Sequence, residues 1–301
     1  MTAPDPPRTV AWIGTGVMGG PMARHLLDAG HALRIFTRTR AKAEPLLEAG
    51  ATWCATPADA ANGADAACSI VGLPEDVEAV HLGPDGTLAA DEPPPLLIDL
   101  TTSSPALAVR LAHDGAARGC AAVDAPVSGG DVGARAGTLS IMVGGDDDAV
   151  RRATPLLDCF GRTIVHQGPP GAGQHAKMVN QILIASTMMG VCEGLLYADA
   201  AGLDPERVIA AVGQGAAGSW SINELGPRIV RGDYEPGFFV EHFIKDLGIA
   251  LDEAARLHRA LPGTALARQL YETLRARGLG DKGTQALMLA YHALHAPADA
   301  T

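Results

Sequence analysis

Residues 9–38 read TVAWIGTGVMGGPMARHLLDAGHALRIFTR, and this stretch decides the fold. The apolar start predicts a strand over 9–13, the glycines a tight turn, and the residues over 18–29 a helix. A second strand is predicted over 33–37. A strand, a glycine-rich turn, a helix and another strand are typical of the first unit of a doubly wound α/β sheet.

The same alternation continues to about residue 168. Further strands are predicted over 66–72, 96–100, 121–125, 139–143 and 163–166, and helices over 41–49, 75–81, 105–117 and 147–159. Strands that alternate with helices indicate a mostly parallel sheet covered by helices on both faces.

The pattern changes after the turn-rich joint GPPGAG at 168–173. A long apolar stretch without proline predicts one helix over 174–201, about 40 Å long at about 1.5 Å per residue. Because it is apolar nearly all round, we expect partners to bury it on most sides. Further helices are predicted over 203–212, 241–258 and 264–277.

These patterns predict an α/β protein with an N-terminal Rossmann domain, joined by a long helix to an all-α C-terminal domain. The expected boundaries are a flexible tail over 1–7, a nucleotide-binding domain over 8–169 and a helical domain over 170–301.

Composition excludes several classes of partner. The 301 residues carry a formal net charge of −11, and no cluster of Lys and Arg is present, so we expect no nucleic acid and no anionic membrane as partners. We expect no apolar run to reach membrane-spanning length. The five cysteines are dispersed and form no CxxC pair, which favours reduced thiols in a cytoplasmic protein and predicts no metal site.

The turn Gly14-Thr-Gly16-Val17-Met18-Gly19 follows the first strand and opens the first helix. Glycines there permit a tight turn and close backbone approach, while the helix N-terminus presents N–H groups to a pyrophosphate. We therefore predict that this loop binds a dinucleotide. The alternative is an ordinary strand-to-helix turn.

The end of the second strand indicates which dinucleotide is bound. An Asp or Glu there would bind the ribose 2′-hydroxyl, but this chain has Thr37-Arg38-Thr39. Arg38 can bind a 2′-phosphate through two hydrogen bonds, and the two threonines can add hydroxyl donors. NADP(H) is therefore predicted in preference to NAD(H). Arg38 could equally stack on the adenine or be a solvated surface charge.

Two further segments each end a strand and begin a helix. DLTTSSP at 99–105 contains Thr102, and DAPVSGG at 124–130 contains Ser128, Gly129 and Gly130. Ligands bind at the carboxyl ends of strands in such sheets, so both segments should face the cofactor. Ser128 and the N–H groups of the two glycines would form a cradle for a carboxylate. The alternative is a capped helix start in each case.

Lys177 lies in the first turns of the long apolar helix, with Asn180 and Gln181 at i+3 and i+4 on the same face. A lysine in such a helix is costly unless it has a partner or a task. Desolvation or a cationic neighbour lowers a lysine pKa, which suits proton exchange with an alkoxide or carbonyl oxygen. Otherwise the side chain would extend to solvent near the helix start.

The chain resembles the β-hydroxyacid dehydrogenase family, which includes 3-hydroxyisobutyrate dehydrogenase, tartronate semialdehyde reductase and the reductases of glyoxylate and succinic semialdehyde. The resemblance covers nearly the whole chain and rests on GTGVMG at 14–19, DAPVSGG at 124–130, GAGQHAKMVNQ at 171–181 and FIKD at 243–246.

The resemblance implies an oxidoreductase acting on CH–OH donors, which interconverts a small β-hydroxyacid and its semialdehyde or keto acid. It also implies a C-terminal domain of the 6-phosphogluconate dehydrogenase type, an active site between the domains, and homodimers or homotetramers. Lys177 would be the general acid/base, and Ser128 and Gly129 would hold the substrate carboxylate. Thr102 would lie near both nicotinamide and substrate.

Further roles also follow from the resemblance alone. Lys245 would approach the cofactor, and Phe238 and Asp246 would line the substrate pocket. Leu73 and Pro74 complete the expected cofactor-binding set.

One position departs from the family pattern. Many members have an asparagine four residues after the lysine, whereas this chain has Gln181 there and Asn180 one residue earlier. The order is similar to that of tartronate semialdehyde reductases, and either amide could orient the substrate.

Two alternative functions are compatible with this fold. Imine reductases have a similar build but generally lack the lysine. A non-catalytic oligomeric interaction protein of the same fold would have lost it as well. Lys177 therefore argues against both alternatives.

Overall fold

The computed structural model describes residues 9–295, so the predicted tail over 1–7 lies outside the described residues. The described part of the chain divides into two compact units, with the boundary between Lys177 and Met178. This division falls inside one long helix rather than in the glycine-rich joint that precedes it.

The first unit is built on a nine-stranded sheet, with strand order β3-β2-β1-β4-β5-β6-β8 and with β7 and β9 both paired to β8. The strands are β1 Thr9–Ile13, β2 Ala32–Phe36, β3 Thr52–Trp53, β4 Ala66–Ser69, β5 Leu96–Asp99, β6 Ala121–Asp124, β7 Val127–Ser128, β8 Leu139–Gly144 and β9 Gly161–Gly168. All pairs are parallel except those of β8 with β6 and β7. The order β3-β2-β1-β4-β5-β6 is that of a dinucleotide-binding sheet.

Helices cover both faces of this sheet. They are α1 Gly19–Asp28, α2 Glu44–Glu48, α3 Pro57–Ala61, α4 Pro74–Leu82, α5 Pro105–Ala116, α6 Gly130–Ala136 and α7 Asp147–Leu157. Alternate residues of β1 belong to different hydrophobic clusters. Val10 and Trp12 pack with residues of α1 and α7, whereas Ala11 and Ile13 pack with residues of α3. Side chains alternate between the faces of a strand, so each face of the sheet has its own core.

The second unit is helical. The helix α8, Ala172–Ala200, begins in the first unit and continues into the second. The others are α9 Pro205–Val212, α10 Gly226–Val230, α11 Val240–Arg256, α12 Pro262–Ala276 and α13 Leu287–His295, with a turn of π-helix over Ser221–Leu225. Phe243 and Tyr271 meet edge to face at 5.0 Å between ring centroids and join α11 to α12 at the centre of this core.

The structure confirms the predicted fold class, a mostly parallel sheet followed by an all-α region. Strand β4 ends at Ser69 rather than residue 72, and β9 is longer than predicted. Several elements were missed, namely β3, β7, α3, α6, α10 and α13. Most of these are short, and α6 has the sequence GDVGARA, in which two glycines lower helix propensity.

Two expectations concern α8. Val179, Leu183 and Tyr197 are exposed, so the described residues leave one face of the helix uncovered. Burial of the helix on most sides by partners stays a prediction. By length and composition α8 also qualifies as a candidate membrane span, contrary to the expectation that no apolar run is long enough. The core helix of a soluble protein meets the same criterion, so this finding is weak evidence for a membrane.

Substitution of Gly173 tests how tightly the start of α8 fits the sheet. An added Cβ would lie 2.5 Å from the Met142 carbonyl oxygen and 2.6 Å from the Asp124 carbonyl oxygen. We expect Gly173→Ala to lower the free energy of unfolding by about 1–3 kcal/mol, as overpacking does. Urea titration followed by circular dichroism measures the change.

Gly190→Ala in the same helix is the matched control. An added Cβ there has no described atom within 4 Å, so the exchange should stabilise the protein by about 0.4–1 kcal/mol. Equal effects of the two substitutions would contradict a tight contact at Gly173.

Candidate functional site

The three glycines of the first loop have different surroundings. A Cβ on Gly14, whose φ is +98°, would overlap the carbonyl oxygen of Ile70, and one on Gly19 would overlap the carbonyl oxygen of Gly14. Among the described residues, nothing lies within 4 Å of a Cβ built on Gly16. The first and third glycines therefore serve the turn and the close packing, and the second leaves the backbone open to a ligand.

Other contacts fix this loop in place. The Gly14 amide donates to the Phe36 carbonyl at 2.8 Å, and the Trp12 indole donates to the Gly14 carbonyl at 2.8 Å. Val17 is exposed and Met18 half-buried at the start of α1, whose N-cap side chain makes no capping hydrogen bond. A loop of this shape fits the pyrophosphate of a dinucleotide.

Arg38 follows β2, between Thr37 and Thr39, and its guanidinium donates to Asp76 Oδ1 at 3.0 Å. Asp76 also accepts from the Leu73 amide at 3.1 Å, at the start of α4, where Pro74 is the first residue. The Arg38 side chain is 80% exposed, so solvent weakens this ion pair. Sequence reasoning missed Asp76 because it lies 38 residues away in the chain.

A buried polar network lies at the carboxyl ends of β4 and β5. His81 contacts Thr87 Oγ1 and Ser69 Oγ, each at 2.8 Å, and Ser69 Oγ donates to Asp99 Oδ1 at 2.8 Å. Asp99 also accepts from the Thr101 amide at 3.1 Å. Burial raises the pKa of Asp99 to about 6 and lowers the pKa of His81 to about 3. At neutral pH His81 is therefore uncharged.

Asp124 ends β6 and is the register partner of Asp99. Its two carboxylate oxygens accept from the Gly171 and Gln174 amides, each at 2.8 Å. Burial raises the pKa of Asp124, while these backbone hydrogen bonds oppose that shift. Asp124 thus caps the start of α8 with a buried carboxyl group.

The predicted carboxylate cradle adjoins Asp124. Ser128 ends β7 and pairs with Ser140 of β8, and Gly129 is the N-cap of α6. Gly129 and Gly130 have φ values of +131° and +61°, conformations that side chains other than glycine adopt rarely. The turn therefore depends on both glycines.

Lys177 is 6% exposed, and its Nζ donates to the carbonyl oxygen of Val127 at 2.8 Å. That carbonyl belongs to the residue before Ser128. The ammonium group therefore lies beside the predicted cradle, fifty residues away in sequence, and does not extend to solvent.

Gln174 is another residue that sequence reasoning left without a role. Its side chain is buried, and it donates to the Thr101 carbonyl and accepts from the Ser103 amide. These two residues flank Thr102, which is half-buried in the loop after β5.

In the second unit, four predicted residues are linked to one another. Gln181 donates to Asp246 Oδ2 at 2.6 Å and accepts from Asn180 at 2.7 Å. Lys245 Nζ lies 2.9 Å from Asp246 Oδ1. Asp246 and Gln181 are almost completely buried, and their predicted contacts with a substrate stay predictions. Phe238 packs edge to face on Phe243, with 5.9 Å between centroids.

Two family models match the chain. The NAD-binding domain of 6-phosphogluconate dehydrogenase matches residues 9–168, and the NAD-binding model of NADP-dependent 3-hydroxyisobutyrate dehydrogenase matches residues 171–291. Together they span nearly all of the described residues.

Curated relatives and solved structures agree with these matches. A probable 3-hydroxyisobutyrate dehydrogenase-like 1, mitochondrial, of Arabidopsis thaliana is 49% identical over 95% of this chain and 86% of its own length. A 3-hydroxyisobutyrate dehydrogenase of Pseudomonas aeruginosa is 40% identical over 87% of this chain and 90% of its own. The structure of Mycobacterium tuberculosis 3-hydroxyisobutyrate dehydrogenase with L-serine has a TM-score of 0.86 and 30% identity, and the match covers 96% of this chain and 99% of that chain.

Asp99→Asn tests the buried carboxyl group. The folded state raises the pKa of Asp99 from 3.8 to about 6, so folding favours its protonated form. That contribution is complete below pH 3.8 and is lost as the pH rises through 6. Between pH 4 and pH 7 the free energy of unfolding of the wild type, relative to Asp99→Asn, should fall by up to about 3 kcal/mol.

The comparison with Asp99→Asn cancels most of the titration of His81 and other groups common to both proteins. Denaturant titrations at several pH values measure the difference. Parallel curves for the two proteins would contradict a raised pKa at Asp99.

Proposed function

The chain belongs to the β-hydroxyacid dehydrogenase family, and on this premise we propose that it is an NADP(H)-dependent enzyme for a small β-hydroxyacid. The enzyme would interconvert this acid and its semialdehyde or keto acid, with Lys177 as the general acid/base.

One observation carries this proposal. The ammonium group of Lys177 donates at 2.8 Å to Val127 O, next to the Ser128–Gly130 turn. A buried lysine beside a turn that can bind a carboxylate supplies both a proton and an anchor for an acid substrate.

The proposed roles follow from this arrangement. Ser128 Oγ and the amides of Gly129 and Gly130 hold the substrate carboxylate. In the reductive direction, Lys177 donates a proton from Nζ to the carbonyl oxygen that becomes the hydroxyl. In the oxidative direction, neutral Lys177 accepts that proton. The nicotinamide, when bound, supplies or accepts the hydride.

The preference for NADP(H) rests on Arg38 and its two flanking threonines. A 2′-phosphate carries more charge than the Asp76 carboxylate and presents three acceptor oxygens. It can therefore displace Asp76 as the partner of the Arg38 guanidinium. Because the Arg38 side chain is 80% exposed, its ion pair with Asp76 is weak and breaking it costs little free energy.

In the second unit we assign substrate orientation to Asn180 rather than Gln181. Gln181 is almost fully buried and holds Asp246. Asn180 is half-buried and lies one residue earlier on α8, at i+3 from Lys177. Lys245, next to Asp246, keeps its proposed role toward the cofactor.

Replacement of Lys177 tests the proton donor. Lys177→Met retains most of the buried volume but removes the ammonium group, and we expect kcat to fall by about 10²–10⁴. The dissociation constant for NADPH should change by less than about threefold, because the proposed role of Lys177 is proton transfer and not cofactor binding.

NADPH oxidation is followed with glyoxylate and with succinic, tartronate and methylmalonate semialdehydes, and the reverse reaction with the hydroxyacids. Retention of activity within tenfold in Lys177→Met would refute the catalytic assignment. Bound NADPH without turnover on any of these acids, in the wild type, would favour a non-catalytic interaction protein.

Substitution of Arg38 tests the cofactor preference. Arg38→Leu loses charge-assisted hydrogen bonds to the 2′-phosphate, worth about 1.5–3 kcal/mol, so KM for NADPH should rise about 10- to 100-fold. KM for NADH should change by less than about threefold, because NADH has no 2′-phosphate.

Asp76→Asn is the complementary variant, since it removes the carboxylate that competes for Arg38 yet can still accept from the Leu73 amide. It should lower KM for NADPH by up to about fivefold, in keeping with an exposed ion pair. A similar rise of both KM values in Arg38→Leu would indicate stacking on the adenine instead of phosphate binding.

A further inference from the structure

Gln174 lies three residues before Lys177 on α8, so the two side chains leave the same face of the helix. The Gln174 side chain is fully buried, and both ends of its carboxamide are used. Nε2 donates to the Thr101 carbonyl at 2.7 Å, and Oε1 accepts from the Ser103 amide at 2.9 Å. The two hydrogen bonds therefore bracket Thr102.

The backbone of Gln174 is held as firmly as its side chain. Its amide donates to Asp124 Oδ2 at 2.8 Å. On the other side, Thr101 is fixed by its own amide, which donates to Asp99 Oδ1 at 3.1 Å, and by its hydroxyl, which accepts from the Val71 amide at 3.0 Å. Gln174 thus joins the end of β6, the loop after β5 and the first turn of α8.

The loop after β5 depends on this contact. The Thr101 carbonyl and the Ser103 amide are groups of buried residues, and each obtains a hydrogen bond from a side chain 71 or 73 residues away. A buried backbone group left without a hydrogen-bond partner destabilises the folded protein. Without Gln174 the loop would have to move to regain its hydrogen bonds, and Thr102 would move with it.

We propose that Gln174 is a positioning residue, which fixes Thr102 and Lys177 relative to one another by clamping the loop after β5 to the first turn of α8. This inference rests on the proposed function, since it assigns both residues to one reaction. Gln174 touches neither substrate nor cofactor in this role and acts through the loop and the helix. Its loss should therefore lower kcat with little effect on KM for NADPH.

Two substitutions separate positioning from a general effect on stability. Gln174→Met has a similar length and makes neither hydrogen bond. Gln174→Glu, when ionised, still accepts from the Ser103 amide but offers no donor to the Thr101 carbonyl. Once protonated, the glutamic acid regains that donor. Burial and the facing carbonyl oxygen raise the pKa of a glutamic acid at this position.

The experiment measures kcat and KM for NADPH between pH 5 and pH 8.5 in the wild type and both variants. We expect kcat of Gln174→Met to be about 10- to 100-fold lower, because small displacements of reacting groups are costly. Its KM for NADPH should stay within about threefold. The ratio of kcat for Gln174→Glu to that of the wild type should rise at least fivefold as the pH falls, and the ratio for Gln174→Met should stay flat.

Gln167→Met and Gln167→Glu are the matched controls, since Gln167 is exposed in β9. Both should have the activity of the wild type at every pH. A kcat of folded Gln174→Met within threefold of the wild type would overturn the proposal. So would a pH profile of Gln174→Glu parallel to that of the wild type, and this second test needs only the isosteric variant to fold.

Amide hydrogen exchange by mass spectrometry gives a readout that does not depend on turnover. In Gln174→Met, peptides covering residues 100–104 and 172–178 should both exchange at least tenfold faster than in the wild type. Unchanged exchange in either segment would overturn the clamp. A wild type without turnover, with faster exchange in both segments of the variant, would refute the proposed function and leave the clamp supported.

Discussion

The structure around the candidate site depends on one buried carboxyl group. Asp124 ends a central strand and accepts hydrogen bonds from the Gly171 and Gln174 amides at the start of α8. The first amides of any helix lack partners within the helix, and a negative charge there is stabilised by the helix dipole. Because this carboxyl group is buried, solvent cannot replace it. The start of the longest helix is thereby fixed to the carboxyl edge of the sheet.

Several features of the site follow from that anchor. With the start of α8 fixed on β6, Lys177 reaches the Val127 carbonyl just beyond the same strand. Gln174, on the intervening turn, reaches the loop after the neighbouring strand β5. A lysine would be costly to bury in an apolar helix, but here its ammonium group has a carbonyl partner within the first unit.

The sequence predicted the parts of this arrangement that depend on local pattern. The strand–glycine–helix start could be predicted because Gly14, Gly16 and Gly19 lie within the turn whose conformation they permit. The contacts of Asp76 and Gln174 could not, because their partners lie 38 to 73 residues away and no local pattern records such pairing. Which face of α8 the described residues cover could not be predicted either, because a helix that is apolar nearly all round does not indicate which face packs against its neighbours.

The overall charge limits how such a site can bind anions. At a net charge of −11 the protein as a whole repels a dinucleotide phosphate and a carboxylate. Under the proposed function, attraction then comes from short-range groups, namely the backbone amides at the glycine turns, Lys177 and Arg38. Arg38 is already paired with Asp76. The binding free energy gained from a 2′-phosphate is therefore only the difference between its interaction with Arg38 and the interaction of Asp76 with Arg38. Under the proposed function, selectivity for the phosphorylated cofactor would therefore depend on two opposing charges, Arg38 after β2 and Asp76 in α4, rather than on the arginine alone.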